Sequence, residues 1–149
     1  MTLAYIGLGA NLGDREAAIR RAAELIAARR LSAIRETEPW GDPDQPPYLN
    51  AVAELAWAAG ARALLTRLLE VERELGRVRD GRRWGPRAID LDLLVFGAET
   101  IDEPGLTVPH PELARRAFVL EPLAELAPDL EVPGKGTAST LYAKLQSSA

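Results

Sequence analysis

The apolar positions of this chain follow two periods, and the switches between them predict the order strand–helix–strand–strand–helix–strand. Residues 2–8 (TLAYIGL) form a short apolar run around Tyr5 and Ile6 and predict a buried strand. Gly9 to Gly13 then predicts a tight strand-to-helix loop. Asp14 is placed to cap the following helix, with Glu16 in its first turn. Along that helix Ile19, Ala22, Ala23 and Ile26 repeat at helical spacing, while Arg20, Arg21, Arg29 and Arg30 take other positions. A short strand is expected around Ala33–Glu38, and four prolines across 39–47 predict an irregular loop after it. Ala51, Ala53 and Leu55 alternate from Asn50 to about Trp57, which reads as another strand. Beyond Gly60, the stripe Leu64, Leu68, Val71 and Leu75 predicts a helix over Ala61–Leu75.

The next stretch, Gly76 to Phe96, reads GRVRDGRRWGPRAIDLDLLVF. Its second half alternates, so Ile89, Leu91, Leu93 and Val95 are expected on one face and Asp90 and Asp92 on the other. Gly97 turns the chain into an extended segment near 99–102. Leu106 to His110 leads into a helix expected from about Pro111 to Phe118, with proline at its first position. Pro122 and Pro128 bracket an expected Leu-rich turn, and 129–149 reads as a peripheral helix or tail. The predicted fold class is α+β: a ferredoxin-like, antiparallel-rich sheet with helices on its faces, a three-layer αβα sandwich.

A length of 149 residues suits a single domain over 1–149, with no linker or internal repeat. No apolar run approaches the ~20 residues of a membrane span, and the N-terminus lacks a signal-peptide profile. The absence of cysteine excludes disulfides and thiolate chemistry and points to the cytoplasm. A monomer is expected, without a membrane partner. The net charge of −4 argues against a nucleic-acid binder. Positive charge is instead local, which suits a small anionic ligand.

Gly7, Gly9 and Gly13 are spaced one residue too widely for a dinucleotide fingerprint, and no acidic residue closes a second strand in the required place. The chemistry concentrates in 76–96. Arg77, Arg79, Arg82, Arg83 and Arg87 fill a glycine-punctuated loop just before Asp90 and Asp92. Two residues along a strand span about 6.6–7 Å, so both carboxylates reach one divalent cation or a close pair. Taken singly, an Asp-x-Asp reads as a solvated strand face and an arginine loop as surface charge. Adjacent, they suit polyphosphate with Mg²⁺, because arginine forks pair with phosphate and hard oxygens hold magnesium. The class that follows is Mg²⁺-dependent phosphoryl or nucleotidyl transfer. Asn50 either satisfies backbone groups or reads the edge of a heterocycle. His110, the one histidine in the chain, is either structural or a hydrogen-bond donor to a phosphate oxygen.

Several strings then fall in a familiar order: Tyr5-Ile-Gly-Leu-Gly-Ala-Asn-Leu-Gly13, Asp44-Gln-Pro-Pro-Tyr-Leu-Asn50, Gly76-Arg-Val-Arg79, Arg83-Trp-Gly-Pro-Arg-Ala-Ile-Asp-Leu-Asp92 and Leu106-Thr-Val-Pro-His110. Together they resemble the 6-hydroxymethyl-7,8-dihydropterin pyrophosphokinases of folate biosynthesis over nearly the whole chain, weakening after about residue 128. The resemblance implies transfer of the pyrophosphoryl group of ATP to the pterin hydroxymethyl group, with AMP released. It implies two Mg²⁺ ions on Asp90 and Asp92, and catalytic roles for Arg77 and Arg87 on the β- and γ-phosphates. It places Glu72, Arg79, Arg87, Leu93, Thr107, His110 and Arg116 with ATP. The pterin falls to Thr37, Trp40, Tyr48, Asn50, Trp84 and Phe118. Leu69, Pro47, Asp80, Gly105 and Pro111 depart from residues common in relatives, and with no second domain the chain is not expected to be a fused folate enzyme. Two other readings stay open: a different Mg²⁺-dependent nucleotide-processing enzyme, and a catalytically silent nucleotide- or pterin-binding module.

Overall fold

The computed structural model describes residues 1–11, 13–37, 47–76 and 89–147. Its centre is a five-stranded antiparallel sheet. Strand β1 (Thr2–Ala10) runs beside β4 (Tyr48–Trp57) in one unbroken register from Thr2↔Trp57 to Ala10↔Leu49. On its other side β1 pairs with β5 (Asp90–Phe96), which forms one end of the sheet. The short strands β2 (Arg30–Leu31) and β3 (Arg35–Thr37) both pair with β4 at the opposite end. Between them Ser32 keeps the ladder whole, its hydroxyl accepting from the Val52 N–H at 2.9 Å.

Period-two alternation divides the side chains between two cores. Ala4, Ile6, Leu8, Ala51, Ala53, Leu55, Leu91 and Leu93 face α1 (Arg15–Leu25) and α2 (Ala61–Gly76). Asp14 caps α1 as expected, its carboxylate accepting from the Ala17 N–H at 3.1 Å. Tyr5, Val52, Leu94 and Val95 face α3 (Ala117–Leu126) and α4 (Ala138–Ser147). Helices therefore cover both faces of a sheet ordered β2–β4–β1–β5, the expected ferredoxin-like three-layer sandwich.

Five expectations need correction. Gly9 lies inside β1, which continues to Ala10, so this glycine belongs to the sheet and not to the loop. Val95 does not share a face with Leu93: pairing jumps from Ile6↔Leu93 to Tyr5↔Val95, and the extra residue Leu94 reverses the alternation. The helix expected over Pro111–Phe118 is a 3₁₀ turn at Leu113–Arg115, followed by α3. Pro122 lies inside α3, where its missing N–H forfeits only the helical bond to the Phe118 carbonyl near the helix start. The C-terminal stretch is not peripheral. After a hairpin of β8 (Glu131–Val132) and β9 (Gly136–Thr137), α4 buries Ala138 and Leu141 against α3. A second hairpin, β6 (Ile101–Glu103) with β7 (Leu106–Val108), follows β5.

Candidate active site

The face of the sheet that meets α3 is apolar at one end and open at the other. Register sets the arrangement row by row. Asn50, Gly9 and Asp90 stand side by side on β4, β1 and β5, and Val52, Gly7 and Asp92 form the next row. One row further, Glu54, Tyr5 and Val95 are buried beneath α3. With glycine at the centre of the first two rows, nothing rises from the middle strand, and a trough opens between the flanking side chains. A cleft of about 650 Å³ occupies it. Gly7 and Gly9 line its floor, Thr37, Tyr48 and Asn50 one side, and Asp90 and Asp92 the other. Arg116, Phe118 and Val119 enter from the start of α3.

The side chains around this cleft are tied to one another. Asn50, only 8% exposed, donates from Nδ2 to the Thr37 hydroxyl at 2.5 Å. Its Oδ1 lies 3.0 Å from where a Cβ on Gly9 would stand, so the glycine is needed for Asn50 to lie flat against β1. Arg15 donates to the Pro47 carbonyl at 2.6 Å, fixing the entry to β4 beside Tyr48. Arg116 stacks its guanidinium 5.6 Å from the centre of the Phe118 ring and sets Nη1 3.9 Å from the Asp92 carboxylate. Asp92 is itself about half exposed, at 47%.

His110 lies half-buried at the cleft's edge, its main-chain N–H donating to the Leu94 carbonyl at 2.9 Å. Burial pushes its imidazole below the usual range, outweighing the upward pull of the Asp92 carboxylate. The ring is therefore neutral near pH 7. Nδ1 accepts from the Glu112 N–H at 3.1 Å, which puts the ring proton on Nε2 as a single donor.

Of the residues singled out from sequence, Thr37, Tyr48, Asn50, Asp90, Asp92, Arg116 and Phe118 all line this one cleft. Thr107, His110 and Glu72 stand outside its lining; Thr107 is exposed on β7 and Glu72 is on α2. The Leu93 side chain is 6% exposed in the core facing α1 and α2, leaving its main chain for any ligand. Trp40, Arg77, Arg79, Trp84 and Arg87 lie outside the described residues. The cleft adds Gly7 and Gly9, which the sequence brought forward without a site role, and Glu112 and Arg115, which it did not assign to a site. Glu112 and Arg115 pair at 3.6 Å, and the adjacency of Arg115 to Arg116 was the available signal.

The acidic pair fits a hard divalent cation. Both groups offer only oxygen, they share one strand face, and the cleft admits water to them. Among the described residues no group of three or more His, Cys, Asp or Glu forms a closed metal site. Two carboxylates leave most of an octahedral shell to other oxygens, the arrangement usual for magnesium that binds together with phosphate. No described helix is long and apolar enough to cross a membrane.

Comparison with known proteins gives the same direction. Residues 5–128 match the sequence profile of the 7,8-dihydro-6-hydroxymethylpterin-pyrophosphokinase (HPPK) family. The 2-amino-4-hydroxy-6-hydroxymethyldihydropteridine pyrophosphokinase of Methylorubrum extorquens is 44% identical, over 99% of this chain and 96% of the relative. That of Bacillus subtilis is 43% identical over 87% of this chain and 80% of its own length. In three dimensions the chain is similar to a crystal structure of an HPPK-DHPS chain in complex with substrates, with a TM-score of 0.76 over 99% of this chain at 13% identity. At that identity the likeness bears on the fold alone, and this chain spans 44% of that longer one. By profile, identity and coverage, the chain belongs to the 7,8-dihydro-6-hydroxymethylpterin-pyrophosphokinase family.

Proposed function

We propose that this chain transfers the pyrophosphoryl group of ATP to 6-hydroxymethyl-7,8-dihydropterin, giving the pterin diphosphate and AMP. The observation that carries this reading is the single cleft that gathers Asp90 and Asp92 on one wall and Thr37, Tyr48 and Asn50 on the other. A flat, aromatic pterin rich in donors and acceptors suits a slot floored by glycine, with Phe118 for stacking and the Asn50 amide for reading its edge. Trp84 and Trp40 join this pocket on the strength of the family resemblance, as do Arg77 and Arg87 for the β- and γ-phosphates.

In the reaction the hydroxymethyl oxygen forms a bond to the β-phosphorus and gives up its proton to solvent. The bridge between the α- and β-phosphates breaks, and its electron pair leaves with AMP. Such a transfer needs alignment and charge neutralisation more than covalent help from the protein. Asp90 and Asp92 would hold two Mg²⁺ ions, whose bound charge offsets that of the phosphates. Arg116, already between Phe118 and Asp92, suits the junction of pterin and polyphosphate. Neutral His110 offers a donor without adding charge, and Arg79, Thr107, Leu93 and Glu72 complete the nucleotide's surroundings.

The test is the product of ATP turnover with Mg²⁺, resolved by chromatography with and without the pterin. Pterin-dependent AMP is expected; ADP, or turnover indifferent to the pterin, overturns the reading. A second expectation concerns the cleft floor. The methyl of Gly9→Ala would press on Asn50 Oδ1, whose amide is already committed to Thr37. The KM for the pterin is expected to rise on the order of tenfold, the effect of modest overpacking, with a smaller change for ATP. Steady-state titration of each substrate checks this, and an unchanged pterin KM would remove Asn50 from the pocket.

A further inference from the structure

Strand β5 carries both aspartates, yet among the described residues it has a neighbour strand on one side only. An antiparallel end strand turns every second N–H and carbonyl away from its partner, and groups left loose there let the strand shift. Two such groups in β5 are taken up by other parts of the chain. The Leu94 carbonyl accepts from the His110 N–H at 2.9 Å. The Leu91 N–H donates to Glu72 Oε2 at 2.7 Å, across from α2. Leu91 stands between Asp90 and Asp92, and its N–H belongs to the peptide group that joins it to Asp90. The Glu72 carboxylate therefore grips the backbone inside the Asp-x-Asp itself.

We propose that Glu72 is a positioning residue for the magnesium-binding pair: it acts on Asp90 and Asp92 through the Leu91 N–H, fixing the spacing and direction of their carboxylates. The proposal rests on the reading that those two aspartates bind the metal. An N–H bonded to a carboxylate is shorter and stronger than an ordinary ladder bond, so it anchors the strand better than a second backbone carbonyl would. Its origin on α2 matters as well. That helix is rooted in the core by Leu64, Leu68 and Val71, so the end strand is referenced to a rigid element. Glu72 sits near the C-terminus of α2, the unfavourable end for an acid, and the bond to Leu91 is a local compensation for that placement. Precision at a metal site comes from such supporting contacts as much as from the ligands.

The experiment is a Mn²⁺ titration followed by electron paramagnetic resonance, with a non-hydrolysable ATP analogue present, on wild-type protein, Glu72→Gln and Glu72→Leu. Gln keeps an oxygen acceptor for the Leu91 N–H without the charge; Leu keeps bulk alone. Glu72→Leu is expected to weaken Mn²⁺ binding by roughly tenfold or more, as loss of a supporting contact does elsewhere. Glu72→Gln should stay within about threefold of wild type, and pterin affinity should hold in both. Equal Mn²⁺ affinity in wild type and Glu72→Leu overturns the proposal, as does a Gln variant as impaired as Leu. Failure of wild type itself to bind Mn²⁺ with the nucleotide would instead overturn the metal reading of the aspartates. Amide hydrogen exchange on the wild-type protein adds a check that needs no variant: the Leu91 N–H should be protected, and rapid exchange there overturns the anchor.

Discussion

Asp92→Ala is expected to lower kcat/KM by roughly a thousandfold or more, as removal of a group that neutralises transition-state charge does. Asp92 sits at the cleft with its side chain about half exposed, and its ionic contact with Arg116 is a loose one at 3.9 Å. Little of the fold depends on the carboxylate itself, whereas the backbone of residue 92 keeps its pairing with Gly7 in any variant. Thermal stability should therefore change by less than about 1 kcal/mol, the usual range for a surface substitution. Pterin affinity, followed by fluorescence, should also survive. Loss of turnover with retained fold and retained pterin binding isolates the metal function. Turnover at the wild-type rate would sink the assignment of Asp92 as a magnesium ligand.

The same carboxylate influences its neighbours. It pulls the His110 pKa upward against burial, while Arg116 pushes it down. Removing Asp92 leaves burial and Arg116 less opposed, so His110 becomes still harder to protonate. The loss in Asp92→Ala is therefore not repaired by lowering the pH, which a rate profile between pH 5 and 8 would show.

How far the sequence alone could reach depended on whether the cause of a feature was local. The face carrying Asp90 and Asp92, the stripe of α2 and the Asp14 cap follow from spacing within one element, and each was legible. The reversal at Leu94 was not, because a bulge is a relation between two strands and the extra residue shows only against the register of β1. Gly9 invited a loop reading for a similar reason. Glycine usually marks turns, yet here its missing side chain makes room for Asn50 and for the cleft above β1. Pro122 suggested the edge of a Leu-rich turn, but sitting at the sixth position of α3 it loses only one bond, and burial against the sheet outweighs that loss. The assembly of Thr37, Tyr48, Asn50, Arg116 and Phe118 around one hollow was anticipated from family likeness and not from any local pattern.

A second large effect lies outside the cleft, in a polar cluster that no sequence pattern announced. Glu54, 5% exposed on β4, accepts from the Tyr5 hydroxyl at 2.6 Å and from Arg30 at 3.1 and 3.3 Å. Arg30 also donates to the Leu126 carbonyl at 2.6 Å, so the cluster fastens the C-terminal end of α3 to the sheet. Glu54→Ala is expected to cost about 3 kcal/mol, since it orphans a buried hydroxyl and leaves a gap. The full penalty of breaking a buried ion pair does not apply, because Arg30 is half exposed and can turn to water. Glu54→Gln keeps an acceptor for Tyr5 and should cost only about 1 kcal/mol. Urea denaturation of the two variants measures the difference; equal costs would show that charge and not the buried hydrogen bond matters.

The pH dependence of stability follows with a definite sign at each end. Hydrogen bonds from Arg30 hold the Glu54 carboxyl below its ordinary 4.5 against the opposing effect of burial, with Tyr5 adding to the same direction. The unfolded chain then takes up the proton first, so this stabilisation is whole above 4.5 and is lost as pH falls through the lower folded value. At the alkaline end, burial and then the Glu54 carboxylate push Tyr5 from 10.0 up to about 12. Its contribution is whole below 10.0 and is lost as pH rises through about 12. Tyr5→Phe should therefore flatten the stability profile across that alkaline window while leaving the acid limb in place, because Arg30 still holds Glu54. A Tyr5→Phe protein whose alkaline limb matched wild type would mean that the Tyr5 hydroxyl is not the group that titrates there.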